Sequence, residues 1–251
     1  MDLRAPINDV VAQATGRAHR QDTVLAGSGG PAGNARLMAW TGLALLVLFL
    51  AELITVLDVR GLVNWHMAIG VLLVPPTLLK TASTGWRMVR YYLGHRPYHD
   101  AGPPPMILRL LGPLVVLSTL GLLASGVALL VLGPDTSRNT LVSLLGQRVD
   151  AVTIHQGIFV IWAGAAGIHT LCRLVPALRS TAVRLTAARF TAVPGIAPQQ
   201  VPGQYRRAVT LATTMVVAVV TAALVFTSAT AWQSASHRFG PNSQGHHATH
   251  R

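Results

Sequence analysis

Five stretches of this 251-residue chain stay apolar for long enough to cross a lipid bilayer, and this limits the possible folds more than any other feature. They run from Leu37 to Leu57, Leu62 to Leu79, Leu110 to Leu132, Ala151 to Cys172 and Ala208 to Trp232. Each holds about 18 to 25 residues, which at about 1.5 Å of rise per residue covers the roughly 30 Å hydrocarbon layer. No water is available in that layer to satisfy backbone N–H and C=O groups, so the segments must be helices or the strands of a closed barrel. Barrel strands alternate apolar and polar residues over about ten positions, and these segments do not. The sequence therefore predicts an all-α, polytopic membrane protein. Only 11% of its residues are charged, against about 25% in soluble domains.

The net charge of +12 raises nucleic acid as a partner, but the basic residues lie between the apolar runs and form no basic helix with interleaved aromatics. They follow the membrane pattern instead. The N-terminal tail, the segment between spans two and three, and the segment between spans four and five carry fifteen Lys and Arg residues, and the opposite side carries five. The positive-inside rule then places the N-terminus in the cytoplasm and the C-terminus outside, as in a multi-pass protein of a bacterial inner (plasma) membrane. The single cysteine, Cys172, excludes an intrachain disulfide, a CxxCH haem attachment and a cysteine metal cluster. Met1 to Arg36 has no apolar core and so does not read as a secretory signal.

This reading divides the chain into a flexible cytoplasmic tail (1–36), a four-helix bundle (37–172), a basic cytoplasmic linker (173–206), a fifth span (207–232) and a His-rich disordered tail (233–251). The loop Asp58 to Gly61 is short enough to force spans one and two into an antiparallel hairpin. Span two is expected to continue as a helix past Lys80 to Tyr92, with a break at Gly102-Pro103-Pro104-Pro105. Arg173 to Arg189 reads either as a basic amphipathic helix on the inner leaflet or as a solvated basic face. The fifth span has no ionisable residue and reads as packing or an anchor.

An ionisable group inside a bilayer costs several kcal/mol unless it is compensated, so each one is a functional candidate. The spans hold Glu52, His66, His155 and His169. His66 and His155 each lie fifth in spans that run in the same direction, so both imidazoles come to one depth near the outer face. Two histidines at one depth form a scaffold for clamping a haem iron from both sides. His169 follows His155 by 14 residues, which puts it about 40° around the helix and about 21 Å along it, as a second haem in the other leaflet would require. Gly157, Gly164 and Gly167 offer room for a flat macrocycle or serve helix packing. Glu52 lies near the depth of His66 and His155, where it would support a ligand's second nitrogen, carry protons to a quinone, or sit protonated at the interface. Arg87, Arg90 and Arg109 are candidates for pairing with propionates, and the positive-inside rule accounts for them equally well.

Asn64-Trp65-His66, Ile154-His155, Trp162 and Ile168-His169 resemble the corresponding stretches of membrane b-type cytochromes. The similar proteins are the bundle subunits that anchor formate dehydrogenases, nickel–iron hydrogenases and molybdopterin oxidoreductases. Pro75-Pro76, Lys80, Tyr91-Tyr92 and Gly102-Pro103-Pro104 extend the likeness to actinobacterial membrane proteins of this group. The resemblance implies non-covalent haem b held by His66 and His155, and electron transfer between a redox partner subunit, such as a molybdopterin oxidoreductase, and the quinone pool. It implies no catalytic centre in this chain alone. The sequence departs from the pattern at Lys80, which stands 14 residues beyond His66 where a second histidine is often found. One haem is therefore expected at the outer site. His169 with Lys80 is left to hold a haem propionate or a quinone carbonyl, with His95, His99, Met88 and Met106 as weaker inner ligands. The alternative is a haem-free membrane anchor or small transporter. An intramembrane hydrolase is set aside because Ser118 and Ser125 have no histidine at an obviously matching depth.

Overall fold

The computed structural model describes residues 22–100, 106–144, 146–189, 201–228 and Trp232. Among them are five helices long and apolar enough to cross a membrane: α1 (Gly30–Leu57), α2 (Val63–Tyr92), α3 (Met106–Ser137), α4 (Ala151–Arg189) and α5 (Gln204–Ser228). The protein is an all-α, multi-pass membrane protein. Its large apolar side chains point outward, as with Val131 at 81% and Leu171 at 73% exposed, because lipid rather than protein covers them. Tails 1–21 and 233–251 lie outside the described residues, as do the Gly102-Pro103-Pro104-Pro105 break and residues 190–200.

Local chemistry fixes the connections. After α1, the Asp58 side chain accepts a hydrogen bond from the Gly61 N–H at 3.0 Å, and the Asp58 carbonyl accepts one from the Leu62 N–H at 2.9 Å, which closes the hairpin to α2. Pro75 and Pro76 remove two N–H donors inside α2, yet the helix runs on, flanked by α1 and α5. α3 breaks at Gly133, whose φ of 74° only glycine adopts readily, and Pro134 follows. A small antiparallel ribbon not expected from the sequence joins α3 to α4: β1 (Val142–Leu144) pairs with β2 (Gln147–Val149), with Val142 opposite Val149. Asp150 then caps α4 by accepting from the Thr153 N–H at 2.7 Å and its hydroxyl at 2.8 Å.

α1 to α4 form a ring in which each helix packs on the next, and α4 returns lightly to α1. α2 and α4 thus stand diagonally opposite. Packing is uneven around this ring. α1, α2 and α5 form one closely packed unit and α3 with α4 another, joined along α2 and α3 and more lightly along α1 and α4. α5 is more than an appendage, since it lies along α2 as closely as α1 does, with Trp65 and Phe226 ring centres 5.2 Å apart.

Two helix ends differ from the sequence reading. Residues 30–36, assigned to the flexible tail, are the first turns of α1. Asn34 there donates to the Ser83 carbonyl at 3.0 Å. Before them, Asp22 pairs with Arg87, and Arg207 donates to the carbonyls of Ser28 (3.1 Å) and Pro202 (2.6 Å). Residues 173–189 continue α4 as one 39-residue helix. α2 reaches Tyr92 as expected. At about 1.5 Å per residue, α2 and α4 measure about 45 and 58 Å, so both project beyond a bilayer at the end of the bundle away from the ribbon.

Candidate functional site

The diagonal arrangement brings His66 of α2 and His155 of α4 together across the bundle, with ring centres 6.4 Å apart and planes at 84°. Both are half-buried. α1 supplies partners to one ring and α3 to the other. His66 Nδ1 lies 2.9 Å from Glu52 Oε1 and 3.0 Å from Thr55 Oγ1. His155 Nδ1 lies 2.8 Å from Ser125 Oγ. Glu52 and Thr55 are three residues apart, which places both on the α1 face that meets α2.

These contacts assign both tautomers. The Thr55 hydroxyl is 2.6 Å from the Glu52 carbonyl, and the Ser125 hydroxyl is 2.9 Å from the Leu122 carbonyl. A carbonyl only accepts, so each hydroxyl gives its proton to its own helix and presents an oxygen lone pair to the imidazole. Each Nδ1 must then carry a proton and donate it. Nε2 is left with its lone pair on both rings, and among the described residues neither Nε2 has a hydrogen-bond partner. Neutral imidazole with Nδ1–H held by a neighbour and Nε2 open is the form in which histidine binds a metal.

The spacing suits one ion between the rings. A metal–imidazole bond is about 2.0–2.1 Å and the bonded nitrogen lies about 1.2 Å from its ring centre, so imidazoles on opposite sides of one ion have centres about 6.4 Å apart. Among the described residues no group of three or more His, Cys, Asp or Glu side chains is arranged to hold a bare metal ion. Two donors suit an iron that arrives with four equatorial nitrogens of its own, as in haem. Next to the pair, Glu52 Oε2 is buried with no hydrogen-bond partner among the described residues.

Of the residues that form the walls, Gly126, Phe49 and Trp162, the sequence singles out only Trp162. Gly126 of α3 abuts His155, where a Cβ would stand 3.3 Å from Cε1. Trp162, one heptad beyond His155 on the same face of α4, is buried at 6% exposure. It donates to Thr119 of α3 at 3.0 Å and packs on Phe49 of α1, with centroids 4.8 Å apart. Trp162 therefore spans the seam between the two packing units. Gly157, Gly164 and Gly167, which the sequence offered either to a macrocycle or to helix packing, are exposed, and a Cβ on any of them would meet nothing within 4 Å. Gly157 and Gly164 lie about 160–180° around α4 from His155, which accounts for this.

The separation of Ser125 from any histidine, expected from the sequence, is overturned by its contact with His155. That contact does not make a nucleophile, because the Ser125 proton is directed to Leu122 and, among the described residues, no acid is hydrogen-bonded to His155.

The other sequence candidates lie elsewhere. His169 is half-buried on the same helix face, and because α4 is unbroken it stands about 21 Å from His155. Lys80 donates to the Met38 carbonyl of α1 at 2.7 Å, with its Nζ beside Gly42. Arg109 is exposed on the first turn of α3, sixteen residues from Ser125 and so at the other end of the bundle from the histidine pair. His95 contacts Arg90 at 2.6 Å and His99 stacks on Tyr91 with ring centres 5.4 Å apart. Arg90 lies over Trp86, and Met88 is 55% exposed. The side chain of Met106 lies outside the described residues. A groove of about 560 Å³ between α2 and α5, lined by Pro75, Leu78, Val209 and Thr213 among others, opens on the far side of α2 from His66.

Comparison with known proteins finds no matching family, no similar curated protein and no similar solved structure.

Proposed function

We propose that this protein is a membrane b-type cytochrome that carries electrons between a redox enzyme partner and the quinone pool. The observation that carries the reading is the imidazole pair: 6.4 Å between ring centres, with every hydrogen bond of both rings made through Nδ1. His66 and His155 would hold haem b through their open Nε2 atoms, with Glu52 and Thr55 orienting His66 and Ser125 orienting His155. The haem supplies reversible one-electron exchange, and the chain sets the potential through its ligands, burial and neighbouring dipoles. Trp162 and Phe49 close the site toward the bundle centre and keep water from reaching it along the axis. The arginine-rich end lies in the cytoplasm, which puts the histidine pair near the outer face of a bacterial plasma membrane. A partner subunit, such as a molybdopterin oxidoreductase, and a quinone complete the circuit, with no catalytic centre in this chain. His169 and Lys80 stand toward the same end of α4 and α2, and among the described residues no second histidine is seen to pair with His169, so one haem per chain is expected.

The test is an optical spectrum of the detergent-purified protein, oxidised and dithionite-reduced, with haem stoichiometry. The reading expects a reduced α-band of b-type at one haem per chain. Protein that stays colourless after expression with ample haem refutes it and favours a haem-free anchor or transporter.

A further inference from the structure

The two histidines differ in what stands behind them. His66 Nδ1–H has two acceptors, a carboxylate oxygen of Glu52 at 2.9 Å and the Thr55 hydroxyl at 3.0 Å. His155 Nδ1–H has one, the neutral Ser125 hydroxyl at 2.8 Å. A carboxylate behind a ligating histidine fixes its orientation and raises its basicity more than a hydroxyl does, because hydrogen bonds to charged acceptors are about twice as strong as neutral ones.

They also differ in mechanical setting. Glu52, Thr55 and His66 all belong to the unit of α1, α2 and α5, and Ser125 and His155 belong to the unit of α3 and α4. Each half-site is built within its own unit and the pair meets only across the seam. The ring of His155 rests on Gly126, which puts no side chain beside it to pin it. His155 can therefore withdraw without disturbing any hydrogen bond of His66, and its own single hydroxyl contact lies on α3, which moves with it.

Resting on the cytochrome reading, we propose that the two axial positions are unequal: His66 is the anchoring ligand, and His155 is the exchangeable one, on whose side a small neutral molecule such as carbon monoxide is admitted. The exchange is a ligand substitution, in which the bond from iron to His155 Nε2 breaks and one from iron to the incoming molecule forms, with no change in electron count.

The test uses the full-length haem-loaded protein in detergent, reduced with dithionite and exposed to carbon monoxide. Wild type, His66→Ala and His155→Ala are compared by haem content and carbon monoxide difference spectrum, with size-exclusion elution as the check on folding. His155→Ala is expected to retain haem and to give a carbon monoxide signal at least about tenfold larger than wild type, while His66→Ala keeps less than about a tenth of the haem. The gentler pair covers failure of either alanine variant to fold: Glu52→Gln should release haem to apomyoglobin about 10–100 times faster than wild type, and Ser125→Ala less than about tenfold faster. Equal haem retention in the two alanine variants, greater retention in His66→Ala, or equal release from the gentler pair overturns the proposal. Wild type without a b-type spectrum overturns the reading beneath it as well, and that failure is visible before any carbon monoxide is added.

Discussion

Gly126 gives the sharpest perturbation of the site, because its effects on folding and on ligand binding should separate. A Cβ built there would lie 3.3 Å from His155 Cε1 and 3.9 Å from Nδ1, where ordinary contacts begin at 3.4 Å. In Gly126→Ala the ring must therefore shift by a few tenths of an ångström. Against this, replacing glycine by alanine inside a helix gains about 0.8–1.0 kcal/mol of propensity. Turning His155 by up to about 30° off its rotamer costs about 0.5–1.5 kcal/mol. The two nearly cancel, so the folding stability of Gly126→Ala should stay within about 1 kcal/mol of wild type. Gly126→Leu adds three more carbon atoms in the space the ring occupies and must drive it away, breaking the 2.8 Å contact with Ser125. Because His155 is the exchangeable ligand, its displacement should leave most of the haem bound and open the iron on that side, so Gly126→Leu should give a carbon monoxide signal approaching that of His155→Ala while its helix content remains that of wild type. The carbon monoxide difference spectrum in the Soret region, with circular dichroism on the same samples, reads both quantities. If reduced Gly126→Leu takes up no more carbon monoxide than wild type does, His155 is not held where this structure puts it and is not the exchangeable ligand.

Other consequences follow from the packing and the caps. Thr119→Val removes the acceptor of the buried Trp162 N–H and should cost about 0.6–1.7 kcal/mol, the range of interhelical hydrogen bonds in membranes. Trp162→Ala opens a cavity at the seam and should cost about 3–5 kcal/mol; denaturant unfolding in detergent measures both, and a loss under about 1 kcal/mol for Trp162→Ala contradicts the seam. The Asp150 carboxyl is held below the ordinary value of 3.8 chiefly by the hydrogen bond from the Thr153 N–H; desolvation opposes this, and the Thr153 hydroxyl and Arg138 add to it. A depressed folded pKa means that the stability it lends is complete above the unfolded value and is lost as pH falls through the folded one. Asp150→Asn should therefore be less stable than wild type at neutral pH and converge with it in acid. A gap that does not narrow at all as pH is lowered through and below the ordinary carboxylate range contradicts the ionised cap.

The spans were legible because run length against bilayer thickness is a one-dimensional property, and His66 and His155 were legible because counting residues from the ends of two parallel spans gives their depth. Helix faces were not. α3 is apolar nearly all round, so no polar stripe marks which side faces α4, and Ser125 and Gly126 carry no signal that separates them from Ser118 or Gly121. The outward position of Gly157 was open to a 100°-per-residue count from His155, the same count that places Trp162 on the inner face. Residues 30–36 are small and polar, which reads as tail. They are helical because Asn34 and Arg207 tie that end of the bundle together, through contacts from residues 49 and 179 positions away in sequence.

The account stands on His66 and His155 binding one iron from opposite sides. Electron paramagnetic resonance of the oxidised, purified protein tests this most directly, since it reports the axial ligands and the relation of their planes together. Two neutral imidazoles at 84° to each other predict a low-spin ferric signal of strongly anisotropic type, lost in both His66→Ala and His155→Ala. A high-spin signal, a low-spin signal that survives removal of either ring, or no haem iron at all contradicts the central claim.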